Sequence, residues 1–171
     1  LLPPERGTAA GLDQMEFRIS PNPGEELRPL EKIASGGELA RLMLALKTLA
    51  GSARSTPGTA RYPQSKTFIF DEIDAGIGGR VAESVGHRLK RLARDAQVLC
   101  VTHLAPIACF ADRHFHVEKF ERAGRTATAV RALEDDKERV AELARMLSGR
   151  QITDAVLKHA AAMLRQSRTA A

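Results

Sequence analysis

A chain of 171 residues, 43% apolar and 27% charged, can bury one ordinary core and is too apolar and too evenly charged for a disordered segment. With 4% aromatics, no Trp and a single Tyr, that core has to be mostly aliphatic. The net charge of +5 permits a nucleic-acid partner without demanding one, no apolar run nears the roughly 20 residues of a membrane span, and the two cysteines form no CxxC pair.

Residues 1–171 read as a single domain. It opens on a Pro-rich stub, LLPPERGTAAG, which has no signal-peptide pattern and resembles an interior cut more than a natural start; residues 1–12 are expected to be flexible. Asp13 to Ser20 alternates apolar and polar residues as a half-buried strand does, and PNPGEELRP is a turn-rich connection. From Glu38 the residues Leu39, Leu42, Met43, Leu46 and Leu49 form the apolar stripe of an amphipathic helix, with Gly51 as its stop. Residues 51–66 are expected to be a flexible surface loop. Thr67 to Phe70 is a short apolar strand, Arg80 to Arg94 a helix with Val81, Val85, Leu89 and Leu92 inward, and Gln97 to Thr102 a second apolar strand, together a parallel βαβ unit. RHFHVEKF and Thr126 to Leu133 predict a hairpin around Ala123-Gly124. Helices over Asp136 to Ser148 and Thr153 to Gln166, the latter capped by Thr153, end the chain. The fold class is therefore α/β, a mostly parallel sheet flanked by helices, with a β-hairpin and two C-terminal helices.

Three stretches carry chemistry. Ser35-Gly36-Gly37-Glu38 satisfies the capping box, which accounts for Ser35 and Glu38 but not for two adjacent glycines. Bare first-turn N–H groups at the positive end of a helix dipole suit a closely approaching anion such as a phosphate. FIFDEID places Asp71 and Glu72 at the C-terminal edge of a parallel strand, where α/β folds bind ligands. There one carboxylate suits Mg²⁺ and the next can orient or deprotonate a water. VLCVTHLAP ends a neighbouring strand at Thr102-His103, setting an imidazole beside the carboxylates.

In this order, with Asp74 in a Gly-rich loop between the second and third, these motifs resemble the second half of an ABC-type ATPase head. They correspond to its signature motif, Walker B, D-loop and H-loop. The resemblance is most specific to the bacterial DNA-repair branch of the SMC and Rad50-like ATPases. It is carried by NPGEELRPLEKIASGGELARLMLALK, IFDEIDAGIGGRVAESVG, QVLCVTHLAPIA and ERVAELARMLSG, nearly the whole chain apart from the 51–66 loop. The resemblance implies that Ser35, Gly36 and Gly37, with Glu38, meet the γ-phosphate of ATP held by a second head. It implies that Asp71 holds Mg²⁺ through water, Glu72 is the catalytic base, Asp74 bridges the two heads and His103 senses the γ-phosphate. The implied protein is cytoplasmic and nucleoid-associated, acts in double-strand-break repair and recombination, and contacts DNA as a full-length molecule but no membrane.

The phosphate-cradling G-x-x-x-x-G-K-[ST] loop is missing from this chain. In the family it lies in the N-terminal lobe of the head, so ATP, Mg²⁺ and an ATP-dependent homodimer all require that lobe as a partner. The chain alone is expected to hydrolyse little or no ATP. Two other readings compete: a non-catalytic docking or DNA-binding module, and a head lobe of another SMC-like chromosome protein, against which ERVAELARMLSG argues.

Other candidates are weaker. His114 and His116 share one face of a strand and with Asp112 could be imagined around a metal, but HxH on a strand is common. No G-x-S-x-G occurs, and neither Cys100 nor Cys109 has an orienting His partner. Val140, Leu143, Ala144 and Leu147 read as core packing. Arg88, Lys90, Arg91 and Arg94 could track DNA phosphates, though a solvated helix face is the simpler reading.

Overall fold

A computed structural model describes residues 11, 15–20, 24–30, 36–53, 67–122, 124–149 and 151–169. Ser35, the stub over residues 1–10 and the segment 54–66 lie outside the described residues. Residues 1–35 and 36–171 form two separate compact units.

In the first unit β1 (Arg18–Ile19) pairs antiparallel with β2 (Arg28–Pro29), Arg18 opposite Pro29. The Leu30 amide donates to Phe17 O at 2.9 Å, and the Ser20 hydroxyl donates to Glu25 O at 3.0 Å. Among the described residues of the strand predicted over 13–20, only Arg18 and Ile19 form β1. β2 falls within the segment that reads as a turn; Pro29 removes a ladder donor, which an edge strand tolerates.

The second unit carries the βαβ frame. α1 (Gly36–Ala53) is followed by β3 (Thr67–Phe70), α2 (Gly79–Leu92) and β4 (Gln97–Cys100). β3 and β4 are parallel, in register from Thr67↔Gln97 to Phe70↔Cys100. A short helix, α3 (Ala105–Ala108), leads to β5 (His114–Arg122) and β6 (Arg125–Leu133), an antiparallel hairpin in register from His114↔Leu133 to Arg122↔Arg125. α4 (Asp136–Ser148) and α5 (Asp154–Thr169) complete it. The Asp135 side chain accepts from the Glu138 amide at 2.8 Å to cap α4, and Thr153 Oγ1 accepts from Val156 N at 3.4 Å at the start of α5.

The fold is mixed α/β, with the expected parallel pair, hairpin and two final helices, but the mostly parallel sheet is corrected. The described strands form three two-stranded sheets, of which only β3–β4 is parallel. The nine residue pairs of β5 and β6 are made between the hairpin's own two strands, and neither strand pairs with β3 or β4.

One core lies between α1, α2 and the parallel pair, centred on Leu44, Phe70, Ile73, Val85, Leu89 and Leu92. A second joins α3 to α4 and α5 through Phe110, Leu143, Ala144, Ala160 and Leu164. Full burial of a Leu or Ile contributes about 1.5–3 kcal/mol, so fully buried Leu44, Ile73, Leu143 and Leu164 are principal fixings. The two cores meet at Gly86 on α2, where a Cβ would stand 2.4 Å from the Phe110 ring; only glycine lets α3 approach so closely.

Two helix expectations change. α1 continues through Gly51 to Ala53, and the face it buries is Gly37, Leu44 and Thr48 rather than the predicted stripe. Leu39, Met43 and Leu46 are 40–42% exposed and Leu49 is 64% exposed, because α2 packs on the other side of the helix. On α2, Val85, Leu89 and Leu92 point inward as predicted, but Val81 is exposed.

Candidate active-site edge

β3 and β4 end side by side, and the Val101 amide donates to Phe70 O at 2.9 Å as the strands part. Asp71 and Glu72 at the end of β3 and His103 just after β4 therefore occupy the same C-terminal edge. Asp71 is exposed, and its Oδ1 accepts from the Glu72 amide at 2.9 Å. Glu72 has φ +56°, the only positive φ among the described non-glycine residues. That conformation costs about 1–2 kcal/mol for an L-residue with a Cβ. It persists because the following turn is pinned: the Ala75 amide donates to Glu72 O at 3.0 Å, and Ile73 beneath it is wholly buried.

Asp74 turns inward. It is 5% exposed, and its Oδ2 takes three donors from the β4 end: Thr102 Oγ1 at 2.6 Å, the His103 amide at 2.8 Å and His103 Nδ1 at 2.9 Å. Thr102 Oγ1 in turn accepts from the Leu104 amide at 3.1 Å. Burial pushes the Asp74 carboxyl up, but the bonds from Thr102 and the His103 amide, with the imidazole beside it, outweigh this and hold it below its ordinary value. A carboxylate only accepts, so Nδ1 is the protonated nitrogen of His103 in this contact and Nε2 is left on the outer side of a ring that is 76% exposed. Asp74, the residue expected to bridge two heads, thus turns its carboxylate toward the end of β4 in this chain.

The N-terminus of α1 is set against this same turn. A Cβ on Gly37 would meet Ala75 Cβ and Glu72 O at 2.8 Å, and one on Gly36 would meet Glu72 Oε2 at 3.2 Å. Buried Gly37 is therefore needed by the chain's own Glu72–Ala75 turn, while exposed Gly36 faces the Glu72 carboxylate. Glu38 lies exposed in the first turn of α1. Arg41 fastens the two segments: Nη1 donates to Ala75 O at 2.8 Å and Ile73 O at 3.2 Å.

No family model matches the chain. The DNA repair protein RecN of Deinococcus radiodurans is 50% identical over 156 residues, 91% of this chain and 25% of its own length. RecN of Halalkalibacterium halodurans is 42% identical over 90% of this chain and 26% of its own length, and that of Bacillus subtilis 40% over 96% and 27%. The chain is homologous to the C-terminal part of RecN. It spans about a quarter of the length of the curated relatives it matches. A solved chain from work titled "Structural biochemistry of ATP-driven dimerization and DNA stimulated activation of SMC ATPases" overlaps 71% of this chain and 66% of its own, with TM-score 0.44 and 23% identity.

In this RecN-homologous chain the fold brings Gly36, Gly37, Asp71, Glu72, Asp74 and His103 to one end of the βαβ unit; Ser35 lies outside the described residues. Sequence reasoning missed Arg41 and Thr102, each a clamp within the site. The signal for Thr102 was its place between an apolar strand and His103; Arg41 gave none beyond following the paired glycines on one helix. Of the His114 and His116 pair, His116 ties the hairpin to α4, while His114 Nδ1 is buried without a hydrogen-bond partner. His116 Nδ1 lies 3.0 Å from Glu142 Oε1, while the His114 ring is held below its ordinary pKa by burial and by Arg139. Among the described residues no group of three or more His, Cys, Asp or Glu is placed to hold a metal. Burial, then the charges of Asp74 and Asp71, push the Cys100 thiol up to about 12, and burial pushes Cys109 up to about 11, environments that favour the protonated thiol.

Proposed function

We propose that this chain is the C-terminal lobe of an ATP-hydrolysing head in a RecN-like protein of DNA double-strand-break repair and recombination. The single observation that carries the reading is the gathering of Asp71, Glu72 and His103 at one strand edge beside the glycine-started α1. Glu72 is the base: its left-handed backbone directs its carboxylate away from the strand and toward Gly36, into the space where a water would stand. His103, its Nδ1 occupied by Asp74, keeps Nε2 for the γ-phosphate. Asp71 is exposed with one oxygen held by the Glu72 amide, which fits a Mg²⁺ ligand acting through water. Bound there, Mg²⁺ would neutralise phosphate charge.

The lobe is half of a site. Ser35, Gly36 and Gly37 would receive the γ-phosphate of ATP from a second head, and the N-terminal lobe of the same protein would supply the phosphate loop this chain lacks. The apolar stripe of α1, Leu39, Met43, Leu46 and Leu49, and the exposed Ile69, Leu99 and Val101 of the parallel pair are surfaces for a covering lobe. On this reading the full-length protein works in the cytoplasm on the nucleoid. Among the described residues no helix is long and apolar enough to cross a membrane.

In the full-length protein, Glu72→Gln is expected to keep ATP binding and lower turnover by at least ~10²-fold, the scale of a lost general base. Unchanged turnover refutes the assignment. The same exposed apolar surface favours a second reading, a purely docking lobe. Titration of Mg²⁺–ATP into the reconstituted head separates the two, since a docking lobe changes neither affinity nor turnover.

A further inference from the structure

α2 presents a face that the proposed ATPase chemistry does not use. Its inner side, Ala82, Val85, Gly86, Leu89 and Leu92, is buried, so the helix is fixed in place. On its outer side Arg80, Arg88 and Arg91 recur at helical spacing, Arg94 follows in the turn just past its end, and all four are exposed. None of their side chains makes an ion pair or a hydrogen bond among the described residues, whereas neighbouring Lys90, which lines the same face, pairs with Asp112. Glu83 is the one carboxylate between them, and with Ser84 and His87 they line a shallow depression of about 520 Å³. At 1.5 Å per residue the stripe from Arg80 to Arg94 is about 20 Å long, enough to run past several phosphates of a DNA strand spaced about 3.4 Å apart along its axis.

We propose that the outer face of α2 is a binding stripe for the phosphate backbone of DNA, with Arg88, Arg91 and Arg94 as its principal contacts. Guanidinium groups suit it because their forked donors engage phosphate oxygens in pairs and keep their charge at any working pH. The one exposed apolar side chain beside these arginines is Val81, too short and isolated to anchor the helix in lipid. It offers only backbone neutralisation, so binding through it is independent of sequence and strongly salt-dependent. The proposal rests on the function above only in taking DNA as the polyanion.

The test is fluorescence anisotropy of the 171-residue chain with a short DNA duplex, over a series of salt concentrations. The triple variant Arg88→Gln, Arg91→Gln, Arg94→Gln should bind at least ~10-fold more weakly, and the slope of log K against log salt should flatten by about 2–3, near 0.9 per lost contact. Arg165→Gln, an exposed arginine on α5, should bind as the parent does, and circular dichroism should show all three folded alike. Parental affinity and slope in the triple variant overturn the proposal, as does a parent chain that binds phosphatidylserine vesicles but not duplex. The anisotropy is measured without ATP, so the stripe and the ATPase assignment fail separately.

Discussion

The two adjacent glycines of α1 should respond in opposite directions to the same substitution. A Cβ at residue 37 would lie 2.8 Å from Ala75 Cβ and 2.8 Å from Glu72 O, a methyl and a backbone carbonyl that cannot swing away. Overpacking of that kind costs about 1–3 kcal/mol, against at most about 1 kcal/mol gained from replacing Gly by Ala in a helix. Gly37→Ala should therefore lose about 0.5–2 kcal/mol, lowering the melting temperature by about 2–6 °C for a chain of this size. A Cβ at residue 36 would meet only Glu72 Oε2, at 3.2 Å, the far end of a side chain that can rotate. Gly36→Ala should therefore be neutral or gain up to about 1 kcal/mol. Paired thermal melts and urea titrations of the two variants decide it. If Gly37→Ala is as stable as Gly36→Ala, the packing of α1 against the Glu72 turn is wrong.

Asp74→Asn should cost about 2–3 kcal/mol in urea unfolding at neutral pH, because it weakens three bonds on one buried oxygen and leaves an amide facing donors. The Asp74 carboxyl is held below its unfolded value of 3.8, so its contribution is present above that value and is lost as pH falls through the lower folded value. The parent's stability should therefore drop more steeply than the variant's in that acid window; identical profiles would remove Asp74 as a fixing of the site. Nitrogen NMR of His103 in the same variant should show the proton leaving Nδ1 for Nε2. Cys100 and Cys109, pushed up to about 12 and about 11, should resist iodoacetamide at neutral pH until the chain is unfolded, read as alkylation with and without urea. Rapid labelling of the native chain would contradict their environments.

What the sequence made legible was governed by local periodicity. β3 and β4, the hairpin and α4 follow from apolar runs, alternation and caps contained within each segment, and they form where predicted to within a residue or two at most ends. α3 has four residues, too few for any period to show. The buried face of α1 was misread because its most hydrophobic stripe is the exposed one; helix periodicity identifies an apolar face but not which neighbour covers it. The same limit applied to the glycines. The sequence pattern signals close approach at Gly36 and Gly37, and an incoming phosphate is one object that can approach. The fold adds a second, the chain's own Glu72–Ala75 turn, which no local pattern announces. Asp74 was legible as a chemically important carboxylate, but its direction depended on Thr102 and His103, which lie 28 and 29 residues away.

The left-handed backbone at Glu72 bears on anyone seeking a sturdier version of this chain. Asn or Gly occupies that conformation with little or no strain, so a selection for heat resistance alone would drift toward either at residue 72. Each step in that direction would remove the carboxylate assigned as the base. Thermal robustness and turnover are thus set against each other at a single dihedral angle, and a library designed to improve one should hold residue 72 fixed.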